Sequence, residues 1–116
     1  MENVKFQIVS CSGASNTGKF ADEVARILIS QGNEKILCLA RINIDKSFAE
    51  TTKGKITKLV VLDGYPIDCT KKTMVVNGIE NYIHIHTTDF GIMKGKTPYS
   101  VEKANEIVEH IKKITQ

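Results

Sequence analysis

The 116-residue chain predicts a single α/β domain, a three-layer, Rossmann-like sandwich around a mostly parallel four-stranded sheet. Three observations lead there. Short apolar stretches with strand character alternate with segments whose apolar residues recur at helical spacing. Apolar residues make up 41% of the chain and charged residues 25%, the balance of an ordinary globular core. No repeat, low-complexity stretch or linker divides residues 1–116, a length that fits one domain at roughly 100–200 residues per domain. Strands that alternate with helices pair in parallel through right-handed crossovers.

Each element has its own signal. Val4, Phe6 and Ile8 alternate with Lys5 and Gln7, which predicts a first strand over Val4–Ser10. A small polar loop, Cys11 to Gly18, follows. Phe20, Val24, Ile27 and Leu28 then recur at helical spacing, with Asn16 or Thr17 as the cap and Gly32 just past the end. Lys35–Ala40 reads as a second strand or a buried helical turn, and periodicity does not separate the two at this length. Asp45–Lys53 is a weak helix with only Phe48 and Ala49 to bury. Lys58–Leu62 is a third strand that runs into a turn, Asp63-Gly64-Tyr65-Pro66. A short helix over Ile67–Val76 stops at Asn77-Gly78. Tyr82–Thr87 is the fourth strand. Thr97-Pro98 opens the last helix, whose buried stripe is Val101, Ala104, Val108 and Ile111, extendable to Ile114, with Ile107 beside it.

Composition excludes several classes of function. A net charge of +3, 6% aromatic residues and no Trp supply neither the field nor the stacking surfaces of a nucleic-acid binder. The lysines are scattered and read as a solvated surface. The longest apolar run, Ile36 to Ala40, is five residues, against the ~20 that span a bilayer. The N-terminal residues lack the pattern of a signal peptide. Three widely spaced cysteines, an odd count, argue for reduced thiols and a cytoplasmic protein.

In a parallel sheet the ligand site lies outside the carboxyl ends of the strands. Cys11 follows the first strand, Cys38 lies near the end of the second, and Asp63, Tyr65 and Cys69 follow the third. His86 stands near the end of the fourth. Cys11 and Cys69 also stand near predicted helix starts, where the positive dipole end lowers a thiol's pKa. Zinc takes four ligands from Cys and His, so three thiolates plus His84 or His86 complete a set, although no pair has the short Cys-x2-Cys spacing. The plainer alternatives are that a free Cys is a small buried hydrophobe and that the two histidines are one half-exposed strand face.

The first loop also invites an anion, with Ser12, Gly13, Ser15 and Asn16 as the binding residues. It is neither a Walker loop nor a thiol-phosphatase loop. Gly18-Lys19 is followed by Phe20, and Thr17 stands where the phosphatase pattern has Arg. Ordinary turn geometry explains Gly13 and Gly18 equally well.

The strings CSGASNTGKFADEVA, CLARI and LDGYPIDCTKKTM, followed by TTDFGI, resemble the DGC domain family over about Phe6 to Ile92. These small bacterial and archaeal proteins are associated with zinc and take their name from an Asp-Gly-Cys motif. The resemblance implies four metal-chelating cysteines, three of which fall on Cys11, Cys38 and Cys69. Where the motif has its own cysteine, this chain has Tyr65. The resemblance brings no established reaction.

The leading expectation is therefore a zinc-binding domain with Cys11, Cys38, Cys69 and His86 as ligands and Asp63, Tyr65 and His84 as neighbours. A second is a metal-free reactive-thiol protein, for redox or sulfur transfer, acting through Cys11 or Cys69. A third is a small-anion or partner-binding domain that uses the loop amides. The expected partner is a metal ion or small molecule, with no nucleic acid and no membrane. Homo-oligomerisation is left open.

Overall fold

The computed structural model describes residues 6–11, 15–31, 36–37, 39–53 and 58–115. In chain order the elements are β1 (Phe6–Ser10), α1 (Asn16–Ser30), β2 (Ile36–Leu37), α2 (Leu39–Ile44), α3 (Lys46–Lys53) and β3 (Lys58–Asp63). They continue with α4 (Cys69–Val76), β4 (Ile83–His86), a 3-10 turn (Thr87–Phe90) and α5 (Val101–Ile114). No described helix is long and apolar enough to cross a membrane.

The sheet order is β2-β1-β3-β4, and every described pairing is parallel. β1 runs beside β3 from Phe6↔Lys58 to Ser10↔Leu62, and β3 beside β4 from Val60↔Ile83 to Asp63↔His86. The α/β class holds, but the expected four-stranded sheet needs correction. Three strands of five, six and four residues carry the sheet, and the fourth is reduced to a two-residue ladder, Ile8↔Ile36 and Val9↔Leu37. From Leu39 the chain is already helical. Leu, Ala and Arg are strong helix formers, and α2 places Ile42 fully inside the core.

Strand alternation sends side chains to two separate cores. Phe6, Ile8, Val60, Leu62 and Ile85 meet Phe20, Val24 and Leu28 of α1 and Ala104, Val108 and Ile111 of α5. Val9, Leu59 and Val61 meet Ile42 of α2, Ala49 of α3 and Met74 of α4 on the other face. Two helices cover one face and three cover the other. Each fully buried aliphatic side chain contributes on the order of 1.5–3 kcal/mol, so these layers dominate the folding energy.

Several boundaries move for identifiable reasons. Ser15, not Asn16 or Thr17, caps α1, since its Oγ accepts from the Gly18 amide at 3.2 Å. α5 starts at Val101 behind Ser100, whose Oγ accepts from the Lys103 amide at 3.3 Å. Thr97 instead closes a loop, with its hydroxyl accepting from the Met93 amide at 2.9 Å. The expected strand residues Val4 and Lys5 and the helix stop Gly32 lie outside the described residues.

β1 has neighbours on both sides. The chain leaves it through α1 toward β2, then returns through α2 and α3 to β3 on the opposite side. The topology therefore switches between β1 and β3, and the crevice at their carboxyl ends is where such sheets bind ligands.

Candidate functional site

Cys11 extends β1 by one residue, its amide donating to the Leu62 carbonyl at 3.1 Å. Its Sγ accepts from the Gly64 amide at 3.2 Å. Cys11 and Cys69, together with Ser15, Leu39, Tyr65 and Lys94, line one cleft of about 270 Å³ at the switch point. Cys11 is half-buried, while Cys69 is exposed as the first residue of α4.

Burial pushes the Cys11 thiol up from its ordinary pKa, and the nearby charges of Asp63 and Cys69 push the same way against the Gly64 hydrogen bond. This corrects the expectation of a lowered pKa at Cys11. Cys11 is partly buried at the end of β1, five residues before α1 begins at Asn16, and burial is the largest influence on its thiol. Near neutral pH, timed alkylation with iodoacetamide and peptide mapping is expected to label Cys69 about tenfold or more faster than Cys11, because thiolate content and access set the rate. Labelling of Cys11 as fast as Cys69 would contradict this burial.

Asp63 ends β3 almost completely buried. Its Oδ1 accepts from the Thr70 amide at 2.8 Å and its Oδ2 from the Lys71 amide at 3.1 Å. The same Oδ2 lies 2.8 Å from His84 Nε2. Asp63 thus caps α4 from a neighbouring element. Asp68, which occupies the N-cap position with φ 64°, makes no capping bond with its side chain.

His84 and His86 leave β4 on the face that α4 covers, while Ile83 and Ile85 pack into the α1/α5 core. His86 Nε2 lies 2.5 Å from Asp68 Oδ1, and His84 Nε2 lies 3.9 Å from the same atom. The ligand atoms of Asp68, His84 and His86 all lie within 4.8 Å of one another, and among the described residues they form the group that could hold a metal ion. The Asp68 carboxyl is opposed by desolvation, yet the hydrogen bond with His86 and the neighbouring His84 and Lys71 hold it below the ordinary aspartate range.

The family model of the DGC domain matches residues 7–111. This chain belongs to the DGC domain family. No curated protein and no solved structure matches it.

Within this DGC domain, the first two residues of the name-giving motif have structural work. Asp63 is the α4 cap. Gly64 is where the end of β3 meets α1. A Cβ there would lie 2.5 Å from the Thr17 carbonyl oxygen, and the Thr87 hydroxyl donates to the Gly64 carbonyl at 2.9 Å. The third position, Tyr65, is 40% exposed and lines the cleft, with the Lys94 ammonium 4.2 Å above its ring. Asn16 ties down the loop that carries Lys94, donating to the carbonyls of Met93 and Thr97 at 2.9 and 2.6 Å and accepting from the Gly95 amide at 2.7 Å.

The structure divides the expected ligand set. Cys11 and Cys69 share the cleft, with Asp63 and Tyr65 in its lining. His86 pairs with Asp68 and His84 instead. Cys38 lies outside the described residues, although Leu39, the next residue, lines the cleft. Of the expected anion loop, Ser12 and Gly13 lie outside the described residues, while Ser15 caps α1 and Asn16 holds the 93–97 loop. Asp68 was missed, since nothing around it in the sequence says that Asp63 takes over its capping position.

Proposed function

We propose that this DGC domain binds a zinc ion through thiolates at the carboxyl edge of its sheet, with Cys11 and Cys69 as ligands and Cys38 as the third. The observation that carries this reading is that two cysteines far apart in sequence face one cleft at the topological switch point. Thiols are soft donors suited to zinc. The electrostatics favour a bound cation over a free thiolate. Ionised Cys11 would be half-buried beside Asp63 and Cys69, two groups that oppose its charge, and a divalent ion relieves all three. The same fact weighs against a metal-free nucleophile at Cys11.

Three thiolates leave one position of a tetrahedral ion to water or a substrate, the arrangement of an open zinc site. Tyr65 stands where the family motif has cysteine. A phenol is a harder donor and ionises near ~10, so it does not substitute readily for a thiolate.

Elemental analysis of protein purified under reducing conditions is expected to find at least one equivalent of zinc, of which one equivalent is lost on Cys11→Ser or Cys69→Ser. Zinc content unchanged by either substitution would overturn the reading. In a chelator competition, Tyr65→Cys is expected to bind zinc about tenfold or more tightly than the parent, because it adds a soft anionic ligand on the cleft wall. Unchanged affinity would place Tyr65 outside the coordination sphere.

A further inference from the structure

The order of capping around α4 leaves one carboxylate with nothing to do for the helix. Asp68 occupies the N-cap position in the left-handed region, φ 64°, an uncommon conformation for a residue with a side chain. The Thr70 and Lys71 amides that it would otherwise serve are taken by Asp63. Its carboxylate instead faces β4, the edge strand of the described sheet. There His84 and His86, two residues apart, present their rings on one face with centroids 4.4 Å apart.

The geometry points to a second cation site, independent of the thiols, formed by Asp68, His84 and His86. None of the three lines the thiol cleft. Their ligand atoms lie within 4.8 Å of one another. Two imidazole nitrogens and one carboxylate oxygen select a borderline divalent ion of the zinc, cobalt or nickel class over calcium or magnesium, which prefer all-oxygen shells. Three protein ligands leave the remaining positions to water or a small ligand.

The surrounding carboxylates suit this use. An imidazole that binds through Nε2 carries its proton on Nδ1, and metal-binding histidines usually direct that second nitrogen to a carboxylate, carbonyl or water. His86 Nδ1 lies 3.6 Å from Asp89 Oδ2, on the side away from Asp68. His84 Nε2 contacts Asp63 Oδ2 at 2.8 Å, so binding an ion through that nitrogen exchanges this contact for one with the ion while Asp63 keeps its two α4 amides, and the ion takes the place of the proton between His86 and Asp68. Asp63 thereby stands between the two sites, in the lining of the thiol cleft on one side and against His84 on the other.

Cobalt titration followed by visible absorption separates this site from the thiol site, because thiolate ligation gives a charge-transfer band that nitrogen and oxygen ligands do not. The Cys11→Ser/Cys38→Ser/Cys69→Ser chain, once shown to be folded by circular dichroism, is expected to bind one cobalt without that band. Adding His84→Gln and His86→Gln should weaken binding by about 100-fold or more, at or beyond the upper end of what losing an outer-shell partner costs. Asp68→Asn should weaken it at least about tenfold, with a much smaller loss of thermal stability than Asp63→Ala, because the Asp68 side chain caps no helix. Should the cysteine-free chain not fold, the histidine pair is substituted in the parent. The spectral component without charge transfer should then vanish while any thiolate band persists. Absence of that component in the parent, absence of cobalt binding by a folded cysteine-free chain, or binding indifferent to both histidines would overturn the site. A parent with no thiolate band but a histidine-dependent cobalt spectrum would refute the thiol site alone.

Discussion

Asp63→Ala is expected to cost about 2–5 kcal/mol of folding stability, since two amides lose a carboxylate acceptor at about 1–3 kcal/mol each. The carboxylate is 1% exposed and accepts from two α4 amides while contacting His84. Alanine leaves the buried Thr70 amide and the part-buried Lys71 amide without their acceptor and removes the group that contacts His84. Small domains have about 5–15 kcal/mol in total, so the variant should unfold at much lower urea or temperature. Asp63→Asn should cost less, about 1–3 kcal/mol. One amide oxygen can still accept from Thr70, but the NH2 then faces either the Lys71 amide or His84. Urea unfolding with an unchanged slope would measure both. A loss below about 1 kcal/mol for alanine would mean that water replaces these bonds freely and that Asp63 is not the cap.

Asp63 also shows what could and could not be read in advance. Its place at a strand end was legible, because Leu59 to Leu62 is a continuous apolar run that stops at Asp63. The rim location of Cys11 and Cys69 followed from the same logic. The helices α1 and α5 were legible from their apolar spacing. Their first residues were not, because Ser15, Asn16 and Thr17 are all competent caps, and only the tertiary contact of Asn16 with the 93–97 loop decides among them. The segment 35–40 was undecidable for a different reason. Its residues suit a buried strand and a buried helix equally, and the outcome was two residues of ladder followed by a helix. The grouping of His84, His86 and Asp68 was hidden more deeply, since it depends on β3 and β4 pairing in register and on one aspartate capping where another is expected. Cys11 misled because a polar loop suggests an open thiol, whereas the sulfur lies at the end of β1 against the Gly64 amide, partly buried.

Gly64→Ala is expected to cost about 3 kcal/mol, the upper part of the range for forcing extra atoms into a packed site. A Cβ at this position would stand 2.5 Å from the Thr17 carbonyl oxygen, 2.6 Å from its carbon and 2.9 Å from the Gly18 nitrogen. These are backbone atoms of the first turn of α1, so no side chain can swing aside. The turn itself is held. Thr17 is buried, the Thr87 hydroxyl donates to the Gly64 carbonyl and reaches the Thr17 carbonyl, and Phe20 and Val24 anchor the same helix in the core. The strain must therefore part β3 from α1, and the Gly64 amide is the group that donates to the Cys11 sulfur. Alkylation of Cys11 should accelerate together with the loss of stability. Gly91→Ala is the control. Gly91 has φ +79° with nothing nearer than the Lys103 ammonium at 4.0 Å, so alanine there meets only backbone strain, about 1 kcal/mol. If Gly64→Ala costs no more than Gly91→Ala and Cys11 labelling does not change, the packing of α1 against β3 accommodates the extra carbon and the close approach does not explain the glycine of the motif. A larger loss at Gly64 with faster Cys11 labelling would instead tie that glycine to the close approach of β3 and α1 that builds the thiol cleft.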